Sequence, residues 1–579
     1  MPVLKIKKSD GTWQEVWGCT SVDSGGTSVV ADSVLCIPQD LTEEQKAQAR
    51  ENIGAAKAEC VTPQMFGAVG DGVADDTEAI MAARAKAIAE KRPLYFPAGT
   101  YLLSNAIELW DGANIFGDGS NSIITKIPAV TKEITNKASL TAGSSPVVVT
   151  VDDASGFSVG QGVCVGHDWS HEDCNPIGVI SSIVGNTITI SEISRFGATG
   201  ITTDFTRRIA AYPDMPVYIS TSFSLFRSYA YKQNGDSISP TSVNNITIHD
   251  LQLDGNVQDS ELRCYLNSCI YIDGGMAGQT KFWNKTVDYE PSVCNENIKI
   301  YNLLVKNSSG DGLSIQSSNN IDIQGCVVTN CKYNGIHLGM GSSNAVVSGN
   351  HVSEIDYCGH FDCSGNEDVN ITNNNFLNCT YGLGGFDSMT KGLNISSNTF
   401  TCCATGICAS VTPKPANGRP ASTTMSEYTT GNVIWGIIIE GNSFIGDYSK
   451  ITASTTSGAG VGIYLETVGN TIVTNNMFKF LDAAFLINGI VQRSAISNNI
   501  IKECRTTISR TTTKTFVGVT FLNNIVECRA AEGTTALTSA SVDFSGLTSG
   551  VVANNIIYGN NAEIVVDSDA VVQRDNLVG

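Results

Sequence analysis

The chain has 579 residues, of which 42% are hydrophobic and only 16% charged, with 56 Gly and 15 Pro. That length is ample for a buried core, and a formal charge of −20 speaks against nucleic acid or an anionic membrane surface as partner. No apolar run is long enough to span a bilayer and MPVLKIKKSDGTWQEV lacks the apolar stretch of a signal peptide, so synthesis in a cytoplasm without membrane insertion is expected.

Residues 1–60 read as a module of their own. A Thr/Ser/Gly-rich β-like piece reaches Cys36, and LTEEQKAQARENIGA follows as a helical segment with Thr42 and Gln45 as a capping box and Gly54 as its stop. Residues 61–139 open with VTPQMFGAVGDGVADDTEAIMAARAKAIAEKRPLYFPAGTYLLS. Here Asp75 and Glu78 are spaced as a capping box, and Ala79, Ile80, Ala83, Ala87 and Ile88 form one apolar helix face suited to closing the end of a core. LYFPAGTYLL and ANIFGDG then read as strands of the first coils. Asp71, Asp75 and Asp76 are dense enough to suggest catalysis, but caps and turns account for them.

Residues 140–212 lose the pattern seen on either side. VVVTVDDASGFSVGQGVCVG and ISSIVGNTITIS predict a small inserted antiparallel β-domain with a GN turn. Its GHDWSHEDC stretch gathers His167, Asp168, His171, Glu172 and Cys174; the spacing fits no strong metal motif and the loop setting favours a solvated tip over a metal site, with a carbohydrate contact equally open.

Residues 213–579 repeat. Segments starting at Asn297, Asn320, Ala345, Val369 and Leu393 recur roughly every 24 residues, each with alternating apolar residues and then a polar turn, and without any helical periodicity. Shorter strands led by Gly312, Gly335, Gly359 and Gly406 follow them. Each repeat is therefore expected to be one turn of an all-β parallel solenoid, a β-helix. Asn350, Asn374, Asn398, Asn442, Asn476, Asn499, Asn524 and Asn555 fall at one phase, which predicts an internal ladder of amides. Cys331, Cys379 and Cys403 share another phase, so the 18 Cys read as buried free thiols rather than bridges, and no paired CxxC set suggests zinc. Loops are expected at 273–296, carrying Trp283 and Tyr289, at 411–432 and at 447–460; loops that leave a rigid solenoid on one side commonly wall its binding face.

In the Gly-led strands, Leu313, Ile315, Ile336, Leu338, Phe361, Cys363 and Phe386 are the natural inward residues. Alternation turns Ser314, His337, His360, Asp362 and Asp387 outward, with Asp311 at the preceding turn. The third coil needs an extra residue at Gly359 to keep Phe361 inside; strict alignment would instead bury His360 and Asp362, at a cost of several kcal/mol if they had no partners. The bulged reading yields a candidate catalytic column of Asp311, His337, His360, Asp362 and Asp387, with Tyr357, Tyr381 and Phe386 beside Trp283 and Tyr289 as candidate substrate-binding residues. A merely solvated polar column fits the same pattern. Carboxylates on adjacent coils would stand about 5 Å apart, as retaining glycoside hydrolysis requires, and those two coils apart roughly 9–10 Å, near the inverting range. Asp362 with Asp387 suits the first case and Asp311 with Asp362 the second. A lyase needs cations for a substrate carboxylate, yet 297–410 holds four Lys and no Arg against eight acidic residues, so glycoside hydrolysis is favoured over elimination. Hydrolysis needs no metal or other cofactor; a lyase here would call on Ca2+ in place of Arg, with His337 or a Tyr as base.

The entry stretch, with GANIFGDGSNSIITKI after it, resembles the start of the pectate-lyase-like β-helix superfamily of rhamnogalacturonase/epimerase type, as found in phage tailspike depolymerases. LTEEQKAQARENIGA resembles segments near the N-termini of phage and prophage tail proteins. The resemblance implies a right-handed β-helix in a virion tail protein, a homotrimer joined through residues 1–60 to a tail or baseplate protein, that binds and depolymerises a bacterial surface polysaccharide. The paired-Asp and GHG motifs of polygalacturonases are absent, and GHF at Gly359 only approaches the latter. A polysaccharide lyase, a non-catalytic receptor-binding tail protein and a free-standing pectin-type enzyme stand as alternatives.

Overall fold

The computed structural model describes residues 4–7, 13–16 and 60–579, apart from gaps of which the longest are 167–176, 200–205, 274–293, 410–433 and 529–541; shorter ones include 363–365 and 387–389. Met1–Val61 and Thr62–Gly579 are two compact units. In the first, Leu4–Lys7 pairs antiparallel with Trp13–Val16. The segment expected to be helical between Leu41 and Ala55 lies outside the described residues.

The second unit is a parallel β-helix: 39 strands join in one connected sheet whose neighbours pair parallel, coil on coil. Each coil of the central region has three faces. Ser318–Gln324, Val327–Cys331 and Asn334–Gly339 form one coil, and Ser343–Ser348 and His351–Asp362 form the next. Alternation makes every second side chain internal, and like stacks on like because the repeat is in register. On the first face Ile298, Ile321, Ala345 and Val369 follow one another inward. On the second face Val305, Val328, Val352, Phe376, Phe400, Phe444 and Phe478 do so, the last four rings lying nearly parallel with centroids 5.1, 4.9 and 4.7 Å apart. On the third, Ile270, Leu313 and Ile336 begin a column that ends in Ile463, Phe485 and Ile508.

The corner between the first and second faces is held by the expected ladder. Each Asn Oδ1 accepts both the backbone N–H and the Nδ2 of the ladder Asn one coil earlier, for example Asn350 to Asn374 at 2.9 Å each, and Nδ2 also donates to a core carbonyl such as Ile323 O at 3.1 Å. The pattern runs unbroken to Asn555, whose partner is Asn576. The left-handed residue of this corner is the one before the ladder Asn, as at Asn373, Asn475, Asn498, Asn523 and Asn554. The glycines that lead the third face are required by close approach: a Cβ on Gly335 would sit 2.5 Å from Val352 Cγ1 and 2.6 Å from Gly359 O.

Helix α1, Thr77–Glu90, buries Ile80, Ala83 and Ala87, while Ile88, expected on that face, is exposed. The capping box does not form. Asp76 rather than Asp75 is the N-cap residue, and its buried carboxylate accepts the N–H groups of Val69 (2.7 Å) and Gly70 (3.1 Å), which ties the preceding loop to the helix start. Asp71 likewise accepts Val73 and Ala74 N–H at 2.8 Å each, so the acidic run serves turns and caps. The inserted β-domain is wider than 140–212: its seven-stranded antiparallel sheet runs from Thr131 to Ser220 around Val147, Val149, Val163, Ile180, Ile188 and Ile219. Its two longest strands meet across Gly185 and Asn186, with Gly185 at φ +56°. The His167–Cys174 group lies outside the described residues. All 12 described cysteines are free. No helix of the described residues is long and apolar enough to cross a membrane.

Candidate functional site

The third face decides which predicted residues meet. Ser314 pairs with His337, Leu313 with Ile336 and Ile315 with Leu338, so His337 points outward as expected. The next coil follows without a register shift: Ile336 pairs with His360, His337 with Phe361 and Leu338 with Asp362. The bulge expected at Gly359 is therefore absent, and the displaced residue lies instead between Ile355 and Cys358, relative to the following coil. His360 and Asp362 stand in the internal aliphatic column, both 0% exposed, and Phe361 takes the outward place above His337. The objection to burying them fails because they are partners. His360 Nε2 lies 3.5 Å from Asp362 Oδ2, Asn366 Nδ2 donates to Asp362 Oδ1 at 3.0 Å, and His360 Nδ1 alone is left unsatisfied.

The expected five-residue column is thus broken. Asp362 offers no carboxylate to a surface ligand, which removes both expected Asp pairs. Asp387, Trp283 and Tyr289 lie outside the described residues, as does Cys363. Phe386 is fully buried, at odds with a substrate-binding role, whereas Tyr357 and Tyr381 are half-buried.

Asp311 and His337 are brought together. Asp311 sits at the turn before its strand, held by its carbonyl, which accepts Ser308 Oγ at 2.6 Å. Its Oδ1 accepts Asn334 N–H (3.1 Å) and Nδ2 (2.8 Å) from the coil above, and its Oδ2 lies 2.7 Å from His337 Nδ1. A carboxylate at Nδ1 fixes the tautomer with the proton on that nitrogen, making Nε2 the basic one. The imidazole meets Phe361 edge to face, with centroids 5.0 Å apart. Aromatic rings continue from there: Tyr357 lies 5.9 Å from Phe361, 5.6 Å from Tyr381 and, stacked, 4.9 Å from Tyr333. Burial pushes the Tyr381 phenol well above its ordinary value. The dyad itself is enclosed, with Asp311 0% and His337 4% exposed.

The same outward row continues into earlier coils through residues the sequence reading passed over. Arg227 pairs with Tyr271, which pairs with Ser314 below His337. Tyr271 Oη donates to Asp273 Oδ2 at 3.0 Å, Gln316 Nε2 to Ser314 Oγ at 3.1 Å, and all five side chains are buried. IYID at Ile270 carried the alternation that reveals this coil, but the gap of 43 residues from Ile270 to Leu313 hid its phase. Among the described residues no group of three or more His, Cys, Asp and Glu is placed to hold a metal.

Residues 63–167 match the family model described as rhamnogalacturonase A/epimerase, pectate lyase-like, and residues 234–414 match that of a right-handed β-helix region. No curated protein matches the chain. Among solved structures it is similar to the A-module of the mannuronan C-5 epimerase AlgE4 of Azotobacter vinelandii, at 15% identity over 89% of this chain and 94% of that one, with a TM-score of 0.35. It is similar to the pre-mature gene product 12 of bacteriophage phi29, at 15% identity over 91% of this chain and 59% of that one, with a TM-score of 0.46. A third is an exopolygalacturonase of Thermotoga maritima, at 12% identity over 89% and 91%, with a TM-score of 0.39. The second unit is thus a parallel β-helix, similar over residues 234–414 to a right-handed β-helix region and over residues 63–167 to the pectate-lyase-like family of rhamnogalacturonase A/epimerase type.

Proposed function

We propose that this protein is a phage or prophage tailspike that binds and depolymerises a bacterial surface polysaccharide, with proton transfer at His337. The observation that carries the reading is the Asp311–His337 contact of 2.7 Å beside the rings of Phe361, Tyr357 and Tyr381. Asp311 is the positioning residue, His337 Nε2 the proton acceptor or donor, and Tyr357 and Tyr381 the surfaces against which sugar rings pack. The tail assignment rests on LTEEQKAQARENIGA, and attachment through residues 1–60 and a homotrimer go with it as part of the proposal.

Elimination suits this dyad better than hydrolysis. His337 takes the proton α to a uronate carboxylate, the glycosidic C–O bond breaks with its electrons leaving on oxygen, that oxygen takes up a proton from the His337 imidazolium or from water, and a double bond remains in the new non-reducing end. Hydrolysis by two carboxylates needs a second outward Asp within one or two coils of Asp311, and Asp362, two coils on, is internal. Arg227 lies in the same row but three coils from His337, roughly 14 Å, so the cation for the uronate would be Ca2+. The enclosure of the dyad favours a second reading, in which the face only holds a glycan.

The test is digestion of purified host capsule and cell-wall glycans by the wild type, His337→Ala, Asp311→Asn and Asp387→Ala, following reducing ends and the ultraviolet absorbance of unsaturated products. Elimination at the dyad gives both signals, with product formation falling about 10²–10⁴-fold in His337→Ala and Asp387→Ala unaffected. Reducing ends without absorbance, lost in Asp387→Ala, would make it a hydrolase. Binding with no new ends would replace the enzyme by a receptor-binding protein.

A further inference from the structure

The inserted β-domain meets the solenoid through a buried polar junction. Lys126, at the end of the strand Asn114–Lys126, and Glu261, in the connection after the strand Asn244–Asp254, form an ion pair whose side chains are 1% and 0% exposed. Ser222, two residues past the inserted sheet's strand Tyr218–Ser220, donates its hydroxyl to the same Glu261 oxygen. With that proton committed, Ser222 Oγ accepts from Asn267 Nδ2 at 2.9 Å and from Ser309 Oγ at 3.3 Å. Asn267 Nδ2 also reaches Cys164 Sγ, 3.3 Å away on the strand Gly162–Gly166 of the inserted sheet. All six side chains are buried. Such a cluster adds little stability over apolar packing, but each of its polar groups is costly without its partner, so it fixes which groups meet.

The junction ends on the turn that carries Asp311. Ser308, beside Ser309, donates its hydroxyl to Asp311 O at 2.6 Å and accepts Gly310 N–H at 3.3 Å. In the three coils that follow, the same corner carries Lys332 with Tyr333, Asp356 with Tyr357 and Thr380 with Tyr381, none of them buried. Ser309 and Gly310 are instead small and buried, where the chain returning from the insertion lies against them. We propose that Ser222 and Ser309, backed by the Lys126–Glu261 pair, are positioning residues for Asp311, so that the inserted β-domain sets the turn from which Asp311 Oδ2 meets His337 Nδ1. The proposal deepens the reading of Asp311 and His337 as the working dyad and rests on it. A turn held at both ends keeps a 2.7 Å contact in place, and a misplacement of about 1 Å in such a contact costs about 10²-fold in rate.

Deuterium exchange at the imidazole C2, followed for His337 by tandem mass spectrometry across pH, gives its protonation midpoint whether or not a glycan is cut. Asp311→Asn, which removes the facing charge, lowers that midpoint by about one unit or more. Ser222→Ala and Ser309→Ala each lower it by a smaller step. Ser494→Ala, which removes a buried hydroxyl bonded to Gln492 O far along the solenoid, leaves it unchanged. Ser222→Ala adds nothing in the Asp311→Asn background, because its effect passes through Asp311. On a glycan that the wild type cleaves, the two Ser variants lower kcat and leave KM as it was. Ser222→Ala and Ser309→Ala midpoints at the wild-type value, an equal shift in Ser494→Ala, or full additivity with Asp311→Asn would overturn the proposal. A wild type that cuts no glycan while the midpoints shift as described would remove the catalytic reading and leave the coupling of the insertion to Asp311 standing.

Discussion

At His360 the internal column of one coil turns polar between Ile336 and Leu383, and the consequence is measurable. His360 Nε2 has Asp362 Oδ2 as its partner at 3.5 Å and Nδ1 has none, so removing Asp362 strands the buried imidazole. Asp362→Leu is expected to lower stability by about 3–5 kcal/mol, whereas His360→Leu with Asp362→Val, which restores the aliphatic column, should be neutral or stabilising by about 1–4 kcal/mol. Urea unfolding of both variants checks this; a double variant less stable than the single one would mean that the pair is not a self-contained unit. His337 was legible as an outward residue because its own strand and that of the coil before it alternate plainly. His360 and Asp362 were not, since sequence gives the cost of burying each ionisable side chain but not whether the other is near enough to offset it.

At the scale of one element, the Asn corner and the Gly-led strand do different work and should fail differently. Asn476→Ala removes the acceptor of two bonds from Asn442 and the donor to Ile439 O, all inside the core. The cost is expected at about 1–3 kcal/mol for each buried group left unsatisfied, read as a fall in the thermal midpoint. Gly359→Ala puts a Cβ 2.6 Å from both Gly382 O and Phe376 Cδ1, so it should cost about 1–3 kcal/mol through displaced backbone and should also disturb the dyad one coil below. The first substitution leaves glycan cleavage intact in the surviving folded protein; the second lowers it, and activity per folded molecule separates the two. The Asn phase was readable from spacing alone. The role of Gly359 was misread as a bulge because a glycine has two uses in a strand, an irregular backbone or a close approach, and only the position of the neighbouring coil tells them apart.

For the whole molecule, buried thiols give stability a pH dependence. Burial pushes Cys164, Cys269, Cys326 and Cys408 from 9.0 up to about 12. The folded state holds these protons more tightly than the unfolded chain, so their contribution is fully present below about pH 9 and is lost as pH rises towards 12. The thermal midpoint should therefore decline steadily above about pH 9, and Cys408→Ala should lessen that slope. An unchanged slope would assign the alkaline loss to other groups. Alkylation of the native protein near neutral pH should mark Cys402, which is exposed, and spare Cys326 and Cys408, as peptide mass spectrometry would show.

Sequence by itself determined the solenoid, its coil period, the Asn ladder and the free thiols. Each of these is a repeated local pattern, and repetition removes the ambiguity that a single strand carries. Tertiary structure alone decided which residues of the third face share a surface. Parallel pairing sets the phase of a strand by its neighbours above and below, so one irregular coil can turn a His and an Asp inward and a Phe outward at no cost visible in its own sequence. The same holds for Arg227, Tyr271 and Asp273, which join His337 only through coils that long connections separate in the chain.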